Sequence, residues 1–133
     1  FYHNKKDLPN VFDNTTMMFC KIIRDADKLD IYRIVTEENP IAVKEDDHIT
    51  DIILNDFLLE VSSDVKNIKN KKDTVIFLIS FIYDINYQYS FDFILKNNYM
   101  EKLINLLDEE EQKIIRKKVN EYIQSKKYVE NNI

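Results

Sequence analysis

The stretch "INYQYSFDF" (residues 85–93) decides the fold class. Ile85, Tyr87, Tyr89, Phe91 and Phe93 alternate with Asn86, Gln88, Ser90 and Asp92, the period of a half-buried strand. The residues before it, 73–86, are apolar on nearly every face, which suits the centre of a helical bundle or the middle of a covered sheet. A lone strand needs a partner, however, and the chain holds no second strand pattern to pair with it. Tyr83, Tyr87, Phe91 and Ile94 also share one helical face, so the segment reads as helix with a break near Ser90. On that reading the chain is all-α.

Composition points the same way. The 133 residues contain no glycine and only two prolines. Tight hairpins and phosphate-cradling loops use glycine for positive φ or close backbone approach, so dinucleotide fingerprints, P-loops and G-x-S-x-G elbows are excluded. Helices joined by Asn, Asp and Ser turns are favoured instead. The formal net charge of -5 argues against a nucleic-acid or anionic-membrane partner. One local basic run, "KNIKNKKD" (66–73), reads as a solvated loop. The single cysteine, Cys20, forbids an intrachain disulfide and reads as a small buried apolar residue. The longest apolar run, "VIFLISFIY" (75–83), is too short to span a bilayer, and a cytoplasmic location is expected.

The length suits one domain. Its first helix is expected to be capped by Asn14 or Thr15 and to run to Val35, ending before Pro40. A second follows "KEDD", with Ile49, Ile52, Ile53, Phe57 and Val61 at three- and four-residue steps and an end near "SSD". The last is capped by Asp108, carries Glu109 to Glu111 in its first turn and Lys126 and Lys127 in its last, and buries Ile115, Val119, Tyr122 and Ile123.

Within the first helix, "KIIRDADKLDIYRIV" (21–35) places Ile23, Asp27, Ile31 and Ile34 along one stripe, so a carboxylate stands where an aliphatic side chain is expected. Burying it unpaired costs several kcal/mol or more, so Asp27 must be solvated, paired or metal-bound. Arg24 lies one turn before it, and Asp30 with Arg33 repeats that i, i+3 spacing, so a salt-bridged helix face is one reading. A metal-binding or catalytic carboxylate is the other.

The residues "IIRDADKLDIYRI" resemble the late aspartate motif of the HD superfamily of metal-dependent phosphohydrolases, in which an Ala-Asp pair is followed by a basic and a hydrophobic residue. The resemblance implies a helical bundle of the HD-domain type and a divalent metal (Mn, Fe, Mg, Ni or Zn). It makes Asp27, within Ala26-Asp27-Lys28-Leu29, the metal ligand. Asp25, about 200° round the helix, is expected to point away from the stripe. The opening "YHNKKDLP" resembles the segment preceding this motif, which makes His3 a candidate contact to substrate phosphate or a second metal. Lys28 and Asp30, flanking the ligand, are implied substrate contacts, though surface helix charges explain them equally.

The family takes its name from an adjacent His-Asp pair, and no such dipeptide occurs here: the two histidines, His3 and His48, precede Asn4 and Ile49. Asp27 and His3 alone fall short of a divalent ion's coordination number. Because residue 1 is Phe and "FYHNKKDLP" lacks a helix start, the remaining ligands and the first core helices are expected upstream. Residues 1–35 then form the late part of the metal-site core and 36–133 a helical C-terminal region. The substrate implied is a small phosphate ester or nucleotide. The alternative is a helical binding or regulatory module of the same fold, with the aromatics of Tyr83 to Phe93 forming either its partner surface or core.

Overall fold

The computed structural model describes residues 13–131, with side chains described to residue 126. Among the described residues every regular element is helical: α1 (Asn14–Arg33), α2 (Asp51–Leu58), α3 (Lys71–Ile79), α4 (Gln88–Lys96), α5 (Tyr99–Ile104) and α6 (Glu109–Asn131). A π turn (Ile34–Glu38) continues α1, and 3-10 turns occupy Val65–Asn67 and Ser80–Asp84. The all-α expectation holds.

α3 lies at the centre, which is why it is apolar all round. Val75, Ile76 and Ile79, with Ile82 in the turn that follows, are almost fully buried, and α2 and α5 pack on the helix. Tyr32 of α1 crosses to this core: its ring stacks on Tyr99 at 5.6 Å, and its hydroxyl donates to the Leu78 carbonyl at 2.6 Å. Burial pushes the Tyr32 phenol well above its ordinary pKa, and the nearby Asp84 charge adds to the effect.

Polar groups anchor the start of α3. Asn70 accepts from the backbone N–H groups of Lys72 and Asp73, closing the helix N-terminus. The buried Asp73 carboxylate accepts from Thr50 N–H, the Thr50 hydroxyl and Lys69 N–H. Lys72, also buried, donates to Glu111 at 2.7 Å and Asp108 at 3.2 Å, tying α3 to the first turn of α6. The basic run is therefore solvated at Lys66, Lys69 and Lys71 but not at Lys72.

The break in the 85–93 segment falls elsewhere than expected. Residues 85–87 are non-helical, with Tyr87 at φ -122° and ψ 144°, whereas Ser90 is buried inside α4. The strand-like alternation arises because Ile85 is buried ahead of the helix, while Phe91 and Ile94 are buried within it at helical spacing.

Element ends also differ. The cap of α1 is Asp13, which accepts from Thr16 N–H at 2.7 Å. Regular α-helix stops at Arg33, not Val35: Asn39 N–H reaches back to the Ile34 carbonyl and the Thr36 hydroxyl takes the Tyr32 carbonyl, widening the last turn before Pro40. α2 is shorter than its apolar pattern, with Ile49 ahead of it and Val61 exposed beyond it. Its C-terminus closes as a Schellman motif, Val61 N–H on Asp56 C=O and Glu60 N–H on Phe57 C=O. In a chain without glycine the left-handed position falls to Glu60, at φ 59°. α6 starts on a capping box, in which Asp108 accepts from Glu111 N–H and Glu111 accepts from Asp108 N–H. It then runs past Lys126 and Lys127 to Asn131. Ile115 and Val119 are buried on it, and Tyr122 and Ile123 half-buried.

Candidate functional site

α1 carries the motif, and its buried positions are Cys20, Asp25 and Tyr32. The expected stripe is corrected: Ile31 is exposed, and Ile23, Asp27 and Ile34 are half-buried. The inward carboxylate is Asp25, which is 2% exposed. Its Oδ1 accepts from the Asn86 backbone N–H at 2.9 Å and the Asn86 side-chain amide at 3.0 Å, and its Oδ2 accepts from Tyr87 N–H at 3.0 Å. Three N–H donors meet the requirement that a buried carboxylate be compensated. They also account for the break at 85–87, since N–H groups that donate sideways to α1 do not enter a helical ladder.

Asp27 lies about 200° round the helix from Asp25, on a different side of α1. Lys28 is half-buried between these faces. Burial lowers the pKa of its ammonium and the Arg24 charge lowers it further, while Asp84, Asp25 and Asp27 pull the other way. Lys28 is thus electrostatically coupled to both aspartates of the motif and to the end of the 3-10 turn. Asp84 is itself exposed and accepts from the Ser62 hydroxyl at 2.7 Å.

Asp30 is exposed and held by Arg33 at 2.7 Å, and Arg33 also binds Glu38. These hydrogen bonds, followed by the Glu38 charge, raise the Arg33 pKa. The i, i+3 pairing anticipated for Asp30 and Arg33 is present. His3 lies outside the described residues. His48 is exposed ahead of α2, and its carbonyl accepts from the Asn70 amide. Cys20 is buried and forms no disulfide, as its reading as a small buried apolar residue expects.

The aromatics of 83–93 divide. Tyr83 packs edge-on against Tyr122 at 4.9 Å and donates its hydroxyl to the Phe57 carbonyl, and Phe91 is buried. Tyr89 is 77% exposed and Phe93 is partly so. Tyr83 and Phe91 therefore belong to the core, and Tyr89 and Phe93 lie outside it.

Among the described residues no three side chains of His, Cys, Asp and Glu come together in a way that could hold a metal. Among the same residues no helix is long and apolar enough to cross a membrane. No family model matches the chain, and comparison with curated proteins and with solved structures finds no match.

Sequence reasoning missed Asp25 as the inward residue. The signal was present: Asp25, Leu29 and Tyr32 follow an i, i+4, i+7 pattern as regular as the one through Asp27. An aliphatic count favours the Ile23 stripe, and the large polar-tipped Tyr32 marks the buried one.

Proposed function

We propose that this chain supplies the late part of the metal centre of a divalent-metal-dependent phosphohydrolase of the HD type, acting on phosphate esters or nucleotides. Asp27 is the metal ligand in this reading, and Lys28, with Asp30 and His3, meets the substrate. The observation that carries it is the separation of roles between two aspartates two positions apart. The carboxylate of Asp25 is taken up by three internal donors, and the Asp of the Ala26-Asp27-Lys28-Leu29 motif stands on a different side of the same helix.

Asp27 is one ligand of several. The others are sought in His3 and in upstream segments bearing the His-Asp pair. When bound, a divalent ion supplies a Lewis acid for a phosphoryl oxygen and lowers the pKa of a water. The residues of this chain hold one carboxylate in place on a rigid helix and set a cation, Lys28, beside it. An ammonium partly withdrawn from water attracts a phosphate more strongly than a fully solvated one.

A second reading, a binding or regulatory module of the same fold, draws on a different feature. Met18, Phe19 and Ile22 on α1 are each about half exposed, an apolar surface in the same helix as the motif.

One substitution, with the wild type beside it, separates the two. In the full-length protein, Asp27→Ala should abolish retention of a divalent metal and hydrolysis of a chromogenic phosphate monoester or of nucleotides. Hydrolysis that survives the change removes the reading of Asp27 as the metal ligand, and a wild-type protein that neither retains a divalent metal nor hydrolyses these esters favours the binding module.

A further inference from the structure

α2 is apolar on two opposite faces and buries only one. Ile53 and Phe57 are almost fully buried where the helix packs on α3. At about 100° per residue, Ile52, Asn55, Leu58 and Leu59, the residue that caps the helix, fall on the other side. All four are exposed, Ile52 by about half and Leu59 by 72%. Val61 and Val65, in the turns that follow, are exposed as well. A helix that is apolar all round is ordinarily covered all round, as α3 is. Apolar side chains scattered singly over a surface need no partner, but three on one helix face with two valines after them mark a contact surface.

The charge around this face selects what can cover it. Residues 44–65 contain seven acidic side chains and one lysine, so this stretch is more negative than the whole chain, whose formal charge is -5. Lys118 takes Glu60 at 2.8 Å and Lys66 takes Asp64 at 3.9 Å. Asp51, on the uncovered face itself, and Glu45 and Asp46 just before the helix are exposed. A second copy of the chain pairing this face with itself would bring like charges together, and an anionic lipid surface would do the same. A helix with apolar side chains at three- and four-residue steps, flanked by Lys or Arg, satisfies both features. Its apolar ridge lies along Ile52, Leu58 and Leu59, and its cations meet Asp51 and the carboxylates beside it.

We infer that the outer face of α2, formed by Ile52, Leu58 and Leu59 and continued by Val61, is a docking surface for a basic amphipathic helix of a partner protein. The inference goes beyond the function proposed above and stands independently of Asp27. The apolar contacts supply affinity, and the acidic surround supplies orientation and the choice of partner. Binding and folding are separable here, because the core contacts of α2 come from Ile53 and Phe57 on its other side.

The test is fluorescence anisotropy of a labelled leucine–lysine peptide, patterned as an amphipathic helix, titrated with the full-length protein; a leucine–glutamate peptide of the same pattern is the control. The leucine–lysine peptide should bind saturably and the control should not. Ile52→Ser/Leu59→Ser should weaken binding about tenfold or more while circular dichroism stays that of the wild type. Asp51→Lys should weaken it too and reduce its dependence on salt. Ile114→Ser, on α6 and as exposed as Ile52, should leave the affinity unchanged. No saturable binding, wild-type affinity in Ile52→Ser/Leu59→Ser, an equal loss in Ile114→Ser, or equal binding of the leucine–glutamate peptide overturns the inference. So does a wild-type dimer in sedimentation that Ile52→Ser/Leu59→Ser dissociates, which gives the face to a second copy. Binding to phosphatidylcholine vesicles that the same variant abolishes gives it to a lipid surface and overturns the inference as well.

Discussion

The backbone N–H of Tyr87 donates to Oδ2 of Asp25 at 3.0 Å across 62 positions of sequence. Together with the two bonds from Asn86 it joins the middle of α1 to the start of α4 and places a buried negative charge among N–H donors. Truncation to alanine would leave two backbone N–H groups unsatisfied in a partly buried setting. Asp25→Ala should therefore lower unfolding stability by about 3 kcal/mol, measured by urea denaturation. A loss below about 1 kcal/mol would mean that water replaces the carboxylate freely.

The Tyr32 hydroxyl makes another long-range polar link of α1, to the Leu78 carbonyl. Tyr32→Phe keeps the ring stacked on Tyr99 and removes only the hydroxyl. It should cost about 1–2 kcal/mol, since the Leu78 carbonyl loses a buried donor. A stability within error of the wild type would show that the carbonyl finds another partner.

Alkaline pH should unfold the protein through its tyrosines. Burial raises the pKa of Tyr32, Tyr83, Tyr99 and Tyr122 above the ordinary value of 10.0. A phenol whose folded pKa lies above its unfolded one stabilises the fold below that unfolded value, and the contribution is lost as pH rises beyond it. Stability should be level approaching pH 10 and fall above it, with tyrosinate absorbance and loss of helical circular dichroism appearing together. Ionisation of all eight tyrosines without loss of helix would contradict this.

Lys72 joins two helix starts and has a signature at both ends of the pH scale. Burial alone would lower its pKa, but the hydrogen bonds and charges of Glu111 and Asp108 raise it above the ordinary 10.5. Its contribution is therefore present below pH 10.5 and lost as pH rises through the folded value. Asp108 is shifted the other way, below its ordinary 3.8, by the Glu111 backbone N–H and by Lys72. Its contribution is present above pH 3.8 and lost as pH falls through the folded value. Lys72→Met should thus be less stable than the wild type at neutral pH, and the gap should narrow in strong acid and in strong base. Denaturation midpoints across pH check this, and a gap independent of pH would assign the effect to packing.

Glu60 holds a left-handed conformation that a side chain branched at Cβ resists. Glu60→Val should destabilise by about 1–2 kcal/mol. Glu60→Gly should come out close to the wild type, because relief at positive φ offsets the lost contact with Lys118 and the added freedom of the unfolded chain. If valine is tolerated as well as glycine by thermal denaturation, the Schellman closure contributes little.

Composition and local pattern determined the all-α class, because helix capping and the absence of glycine are local properties. Asp108 with Glu111, the apolar face of α6 and the buried Cys20 could all be read one turn at a time. The inward face of α1 could not. Two stripes of that helix satisfy the same periodicity, one through Asp27 and one through Asp25 and Tyr32, and periodicity carries no information about what stands opposite. Only the tertiary structure supplied the three donors at Asn86 and Tyr87, and with them the reason for burying one aspartate and for ending the strand-like run at Tyr87. A buried charge is settled by its partners, and here those partners lie more than sixty residues away in the chain.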